Sequence, residues 1–282
     1  MESATPNNDA SGGFGGNASA RLQQHDFPKV LALLPPLLVR LFEDGVDDAE
    51  ARATLLALAF TVAWAWSGVF ARRLWRQPES DQVQFAILFV LMLPAAAGLG
   101  GALLSLSFGW VIGHAIFGGK AILPPALVAL AFAIFSFPGG GYETLEILSA
   151  TPSPLLALSC LPGAAWLLWK RLLPWRIVVG AIVGAAFAVL LIAESLSPLW
   201  WEHFILGAFS IGILFLAAAP EAAPRLQGAR WLYGAMIGGL IISIRLANPD
   251  HPDGVVLAVL VGGLFAPLLD RAVGWRTSHE QS

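Results

Sequence analysis

The sequence predicts an all-α membrane protein with about ten transmembrane helices. Of its 282 residues, 57% are hydrophobic and only 12% are charged, and the mean hydropathy is +0.71. Soluble domains carry about 25% charged residues, so this chain lacks much of the surface that water would solvate. Apolar runs of membrane-spanning length recur along most of the chain. The formal net charge of −3 gives no indication of nucleic-acid binding.

Ten apolar spans, several of them short, can be drawn in order. Their predicted limits are residues 29–43, 53–72, 82–97, 100–117, 121–137, 155–170, 176–194, 203–219, 229–246 and 254–272. Pro35-Pro36, Pro94 and Pro124-Pro125 are predicted to break the helical ladder, because proline has no N–H to donate. Such breaks persist in a membrane where neighbouring helices bind the freed backbone groups.

Basic residues predict the orientation of the spans, because short cytoplasmic loops are rich in Lys and Arg. With the N-terminus inside, the inner segments hold Arg72, Arg73, Arg76, Lys120, Lys170, Arg171, Arg176, Arg225, Arg230, Arg271 and Arg276. The outer segments hold Arg52 at a helix end, and otherwise Glu43, Asp44, Asp47, Asp48, Glu50, Glu143, Glu146, Glu194, Asp250 and Asp253. The alternation predicts that both termini are cytoplasmic.

The ends of the chain differ from its apolar middle. Residues 1–27 are rich in Gly, Ser, Asn and Ala and lack the apolar core of a signal peptide, which predicts a disordered cytoplasmic tail. Residues 28–275 form the predicted membrane domain, and 276–282 a second cytoplasmic tail. The single Cys160 excludes an internal disulfide and a Cys-based metal cage.

Small residues and tryptophans predict how the spans pack and where they end. The runs "GAIVGAAFA" from Gly180 and "YGAMIGG" from Tyr233 let helix backbones approach closely. The tryptophans at span ends predict an interfacial belt, and they are Trp75, Trp175, Trp200, Trp201 and Trp275.

Four ordered segments resemble one family of membrane proteins. They are "KVLALLPPLLVRLFEDG" (29–45), "FAILFVLMLPAA" with "GWVIGHAIFGGKAILPPALVALAFAIFSFP" (85–138), "LLALSCLPGAAWLLWKRLLPWRI" (155–177) and "RWLYGAMIGGLIISIRLANPDHPDGVVLAVLVGGLFAPLLDR" (230–271). This set is similar to the NqrB/RnfD family, which supplies membrane subunits to the sodium-pumping NADH:quinone reductase and to the Rnf electron-transport complex. The resemblance covers residues 29 to 271.

The resemblance implies ten helices with broken segments, arranged as two inverted five-helix repeats, about 28–154 and 155–275. It also implies a multi-pass protein of the bacterial inner membrane, in contact with lipid and with other subunits of an electron-transfer complex. Such a protein carries electrons within an oxidoreductase or translocase complex and is not active alone. The chain has no Gly-rich dinucleotide motif, so NAD(P)H oxidation would belong to partner subunits.

A polar loop, "GGGYETLEILSATPSPL" (139–155), interrupts the apolar middle of the chain. Members of the family carry FMN on the threonine of an S-G-A-T motif at this place, attached by a flavin transferase on the periplasmic face. The resemblance therefore implies covalent FMN on Thr151, with Ser149 as a small neighbour. The chain reads S-A-T without the glycine, and the alternative is that Ser149 and Thr151 cap the sixth helix.

Other departures from the family remove polar groups. Leu123-Pro124-Pro125 stands where the family has Asn-Pro, "AAAPEAAP" (217–224) replaces an acidic motif, and "VGGL" (261–264) replaces an Asn. These losses predict that no second flavin is bound, and they argue against ion translocation. Two alternatives to a flavin relay stay open: an inverted-repeat channel or transporter, and a flavin-free scaffold subunit.

Two polar residues inside spans are further candidates for contacts with the flavin, since such residues are costly and often functional. His114 lies near the inner end of span four, where an interfacial histidine bonded to a loop carbonyl is the simpler interpretation. Arg245 lies near the outer end of span nine. It either snorkels outward or offsets the charge of the flavin phosphate.

Overall fold

The computed structural model describes residues 14–43, 45–71, 79–95, 97–115, 123–137, 154–192, 209–247 and 254–279. Within these ranges the chain forms ten α-helices and no strand. They are α1 (Phe14–Glu43), α2 (Gly45–Ala71), α3 (Glu79–Met92), α4 (Leu99–Trp110), α5 (Pro125–Ser136), α6 (Pro154–Trp169), α7 (Trp175–Ile192), α8 (Phe209–Ile211), α9 (Gln227–Ala247) and α10 (Gly254–His279). The π-helical turns Val111–Ala115 and Gly212–Ala217 continue α4 and α8. The predicted all-α class is confirmed.

Several helices have the length and composition of membrane spans. Four are long and apolar enough to cross a bilayer, namely Asp47–Phe70, Trp175–Ile192, Gln227–Ala247 and Gly254–Trp275. Shorter apolar helices lie at Asp81–Met92, Leu99–Gly113, Pro125–Ser136 and Pro154–Trp169. A helix of about 20 residues spans the hydrocarbon core, so the shorter helices reach only part of the way and are the broken elements of the fold. The chain is a multi-pass membrane protein.

Two of the three predicted proline breaks coincide with helix ends. α3 ends at Met92, two residues before Pro94, and α5 begins at Pro125 with Pro124 as its N-cap. Proline suits the first helical turn, where an N–H would have no partner within the helix. The sequence therefore placed these two interruptions correctly.

At Pro35-Pro36 the predicted break is limited to the hydrogen-bond ladder, and α1 runs through both prolines. Proline at position 36 leaves the carbonyl of Ala32, four residues earlier, without its helical donor. Gly163 of α6 lies directly against this carbonyl, so closely that a methyl group on Gly163 would overlap the Ala32 oxygen. The contact between these helices covers the freed oxygen, and α1 continues as one helix.

α1 also begins earlier than the sequence predicts. It starts at Phe14, inside the segment 1–27 whose composition predicts a disordered tail. The stretch "SARLQQ" (19–24) consists mostly of residues with high helix propensity, which outweigh the Gly and Asn before them. Residues 1–13 and 280–282 lie outside the described part of the chain, and the two-tail division stays a prediction there.

Helix packing divides the molecule into two related halves. In the first half, α1 packs on α3, α2 on α3 and α4, and α5 on α3 and α4. A matching set recurs five helices later: α6 packs on α8, α7 and α10 pack on the π-helical turn that continues α8, and both also pack on α9. The halves meet through two contacts, α1 with α6 and α5 with α10. In each contact a helix packs on its own counterpart in the other half. Five crossings in each half, as the sequence predicts, would give the inverted topology that the resemblance implies.

The glycine-rich runs of α7 and α9 form the closest helix contact. Methyl groups on Gly184 and Gly238 would overlap the carbonyl oxygens of Ala235 and Ala181 on the opposite helix. Gly180 lies similarly close to the Trp231 carbonyl, at 2.7 Å from an added Cβ. The two backbones therefore touch without intervening side chains, as the small-residue runs predicted.

Candidate functional site

The loop that carries Thr151 and Ser149 lies outside the described residues. The flanking helices define where it starts and ends, since α5 ends at Ser136 and α6 begins at Pro154. An N-cap residue directly precedes its helix, whereas Thr151 and Ser149 stand three and five positions before Pro154. The start of α6 therefore gives no support to the alternative in which they cap this helix, and flavin attachment at Thr151 stays a prediction.

His114 and Arg245 occupy equivalent places in the two halves. His114 belongs to the π-helical turn that ends α4, the fourth helix of the first half. Arg245 lies in the last turn of α9, the fourth helix of the second half. The predicted alternation puts these helix ends on opposite faces and therefore predicts that the two residues belong to different sites. The side chain of His114 lies outside the described part of the structure.

Arg245 is buried, which corrects the snorkelling alternative. Only 6% of the residue is exposed, and its guanidinium carbon lies 6.0 Å from the centre of the Phe209 ring at the start of α8. A cation at the C-terminal end of a helix also interacts favourably with the helix dipole. Arg245 is therefore a buried positive charge beside an aromatic ring, at the predicted outer end of α9.

A small polar cavity lies where the two halves meet at the predicted inner face. It has a volume of about 50 Å³ and joins the broken start of α5 to the end of the π-helical turn of α8. Both halves line it, the first with Lys29, Asp81, Gln84, Phe85, Leu88, Pro124, Pro125 and Ala126 and the second with Ala219 and Glu221. Pockets for drug-sized ligands measure about 300–1,000 Å³, so this cavity suits water or a small ion and not a flavin ring.

An apolar slot of larger volume than the inner cavity lies between α4, α5 and α10. It measures about 460 Å³, and Phe108, Phe132 and Phe135 are among its lining residues. The rings of Phe108 and Phe132 stack with their centres 4.1 Å apart. Ser136 contributes the one hydroxyl group of its lining. The polar edge of a flavin ring would lack hydrogen-bond partners here, which is unfavourable, so the slot suits an aliphatic chain.

Arg52 is a buried charge whose role is not evident from the sequence. It lies in α2 with 1% of its surface exposed, and its Nη1 donates to the carbonyl oxygens of Val90 and Leu93, each at 3.0 Å. These carbonyls belong to the end of α3, which has no following helical turn to supply donors. A single basic residue in the acidic stretch "DDAEARATLL" (47–56) was the signal in the sequence.

Contacts between helix ends agree with the predicted alternation of faces. The carboxylate of Asp270 near the end of α10 accepts the N–H groups of Arg225 and Leu226, at 2.8 Å each, just before α9. Nη1 of Arg176, in the first turn of α7, donates to Oε1 of Gln227 at 2.5 Å. Both contacts join ends assigned to the inner face, and the Arg52 contacts join ends assigned to the outer face.

Among the described residues, no three His, Cys, Asp or Glu side chains form a group that could hold a metal ion. Cys160 is buried and free. The charged features of the described fold are therefore the inner cavity, the two buried arginines and the basic residues at the helix ends.

Comparison with known proteins identifies the family. The sequence pattern of the NQR2, RnfD, RnfE family matches residues 17–150 and 145–278, which together include nearly the whole chain. The chain is 32% identical over 271 residues to the B subunit of the Na(+)-translocating NADH-quinone reductase of Yersinia pestis, an alignment that covers 78% of this chain and 65% of the relative. Identity to the protein of the same name from Azotobacter vinelandii is 31% over 281 residues, covering 83% of this chain and 69% of the relative.

A third relative agrees with the first two. Identity to the corresponding Na(+)-translocating NADH-quinone reductase protein of Pseudomonas aeruginosa is 32% over 262 residues, covering 76% of this chain and 64% of the relative. The chain thus spans about two thirds of the length of these relatives. The ten-helix fold, the ordered motifs and these matches together show that the chain belongs to the NQR2, RnfD, RnfE family.

Proposed function

We propose that the chain is an inner-membrane subunit of an electron-transfer complex and that it carries FMN on Thr151. The observation that carries the proposal is the family membership, because the similar proteins are named subunits of an NADH-quinone reductase. Thr151 supports it further, since a threonine with small neighbours follows the fifth helix on the predicted outer face. Oxidation of NADH and reduction of quinone are assigned to the complex and not to this chain alone.

The proposed attachment needs an exposed hydroxyl, an activated flavin nucleotide and a flavin transferase that catalyses the reaction. Oγ of Thr151 forms a bond to the flavin-bearing phosphorus and loses its proton, while the leaving group of the nucleotide departs from the same phosphorus. When bound, FMN accepts and donates electrons one or two at a time. The buried charge of Arg245, at the predicted outer end of α9, is complementary to the phosphate and would favour its presence at this face.

In-gel flavin fluorescence tests the attachment. The denatured full chain, co-expressed with a flavin transferase, is expected to give a fluorescent band that is lost in Thr151→Ala. The control Ser149→Ala keeps the acceptor hydroxyl and is expected to retain the band. Fluorescence that persists in Thr151→Ala, or no fluorescence in the wild type, would contradict covalent attachment at this residue.

The missing glycine of the motif provides a second test of the same proposal. Insertion of glycine between Ser149 and Ala150 restores the S-G-A-T order, and glycine permits backbone conformations that other residues resist. We expect a stronger flavin band from this variant than from the wild type. A weaker band would show that the transferase does not read this loop as it reads the family motif.

The inner cavity favours a second candidate function, a path for a small cation. Asp81 and Glu221 contribute carboxylates at a point where a broken helix from each half ends, as in transporters built from inverted repeats. Purified protein in liposomes would then show cation uptake that Glu221→Gln reduces. Uptake that is absent or equal in both proteins would leave the flavin relay as the sole function supported.

A further inference from the structure

The turn between α6 and α7 holds an arginine in an unusual backbone conformation. Arg171 has φ of 57°, in the left-handed region, and is the only non-glycine residue with positive φ among those described. Its N–H donates to the Leu168 carbonyl at 3.0 Å, and the N–H of Leu172 donates to the Leu167 carbonyl at 2.9 Å. These two bonds define a Schellman motif that ends α6, with Arg171 at the position where glycine is usual.

This position favours glycine, because a Cβ in the left-handed region lies too close to the carbonyl oxygen that follows. Residues held in sparsely populated backbone regions cluster at binding sites and other functional sites. Arg171 is exposed, and the hydrogen bonds that form the turn join backbone groups. The strain therefore indicates that the Arg171 side chain binds a group outside the protein.

Two neighbouring cations are held beside aromatic rings. The Nζ of Lys170 lies 4.9 Å from the ring centre of Trp166 and 5.0 Å from that of Trp169. The guanidinium of Arg176 lies 5.0 Å from the ring centre of Trp175. Such cation–π contacts limit the freedom of long basic side chains before any ligand binds. Lys170, Arg171 and Arg176 are named here the turn cluster.

The charge of the turn cluster is not balanced within the described residues. None of its three side chains forms an ion pair with a described carboxylate. The described acidic residues of this face are engaged elsewhere: Asp81 and Glu221 line the inner cavity, and Asp270 accepts the N–H groups before α9. The cluster is thus a positive surface that calls for an external anion.

The tryptophans indicate which anion this is. Trp169 is 72% exposed, and Leu168 beside it is 43% exposed, so an apolar surface faces lipid directly below the cations. Tryptophan concentrates at the level of lipid headgroups, and basic residues between helix ends bind anionic headgroups there. We propose that the turn cluster is a binding site for the phosphate headgroup of an anionic phospholipid, whose acyl chains lie against Trp169 and Leu168.

This proposal is independent of the flavin and is tested with the full chain in lipid nanodiscs. Binding of phosphatidylglycerol is measured by native mass spectrometry and compared with that of phosphatidylcholine. Each removed charge is expected to lower the affinity about fivefold, so Lys170→Gln with Arg176→Gln should weaken phosphatidylglycerol binding about 25-fold. Phosphatidylcholine binding should be unchanged.

The matched control removes two basic residues of the same face that have no aromatic partner, Arg225→Gln with Arg271→Gln. Its affinity for phosphatidylglycerol should stay close to that of the wild type. Equal weakening in both double variants would overturn the proposal, because the effect would then be the general surface charge. A wild type that binds both lipids equally would overturn it as well.

Arg171→Gly separates the backbone strain from the lipid contact. In phosphatidylcholine nanodiscs this variant should unfold at a higher temperature than the wild type, because glycine relieves the strain. In phosphatidylglycerol nanodiscs the advantage should shrink or reverse, because one contact to the headgroup is lost. Phosphatidylglycerol binding as tight as that of the wild type would contradict the assignment of Arg171 to the site.

Discussion

At the scale of single residues, Arg52 and Arg245 are charges buried in a protein that otherwise presents apolar side chains to lipid. Arg52 satisfies the last carbonyls of the broken helix α3, and Arg245 lies beside the Phe209 ring. Buried cations are costly unless they are bonded, so each is kept by what it binds. The role of Arg52 follows directly from its two bonds, whereas that of Arg245 depends on the proposed flavin phosphate.

The bonds of Arg52 predict a loss of stability on its removal. Arg52→Met keeps an unbranched stem but leaves two carbonyls without these donors, and we expect a loss of about 2 kcal/mol. Thermal unfolding of the purified protein in detergent measures the loss. Arg271→Met, at an exposed position, serves as the control and should change little. If Arg52→Met is as stable as the control, Arg52 does not support the end of α3.

At the scale of elements, two kinds of helix stand out. Some pack backbone against backbone, and others end or begin at a proline. The α7 and α9 pair belongs to the first kind, because glycines on both helices face carbonyl oxygens. α3 and α5 belong to the second, because proline stands at or just beyond one end of each. The broken elements expose backbone groups, and both the Arg52 contacts and the inner cavity form at such ends.

The packing of α7 on α9 predicts different outcomes for two Gly→Ala variants. Gly238→Ala places a methyl group on the Ala181 carbonyl and should cost about 1–3 kcal/mol, because the helices must separate. Gly68→Ala, in α2, meets nothing within 4 Å and should be neutral or stabilising by up to about 1 kcal/mol. Unfolding midpoints of the two variants make the comparison, and equal midpoints would contradict the close approach.

At the scale of the whole molecule, the repeated packing pairs give two halves that meet through α1 with α6 and through α5 with α10. Prolines lie inside both helices of the first interface, Pro28, Pro35 and Pro36 in α1 and Pro162 in α6. The inner cavity lies where the halves join and takes its lining from both. Movement of one half against the other would therefore change the cavity first.

The predicted orientation of the whole molecule can be tested by cysteine labelling. The single native cysteine is buried, and Cys160→Ala provides a background without thiols. In that background, Asp47→Cys should react with a membrane-impermeant maleimide in spheroplasts, and Glu221→Cys should react in inverted vesicles. Both positions are exposed and lie at helix ends assigned to opposite faces. Labelling of both from the same side would contradict the alternation.

The sequence by itself determined the all-α membrane class of the protein, the two breaks that end a helix and the family. These features are local, because a helix in lipid must satisfy its backbone within one apolar run and proline interrupts that run wherever its N–H is needed. The glycine runs of α7 and α9 were also readable, since a close approach requires small residues on both helices. The loop with Thr151 and Ser149 was recognised through its resemblance to the family motif.

Only the tertiary structure decided the features that join distant parts of the chain. α1 continues as one helix past Pro36 because Gly163, more than a hundred residues away, covers the freed carbonyl. Arg52 stands in a stretch that reads as an exposed helix start, yet it is buried because the end of α3 needs donors. Arg245 is enclosed instead of snorkelling, and the cavity forms where two halves meet. Each of these features depends on contacts with residues that are distant in the sequence.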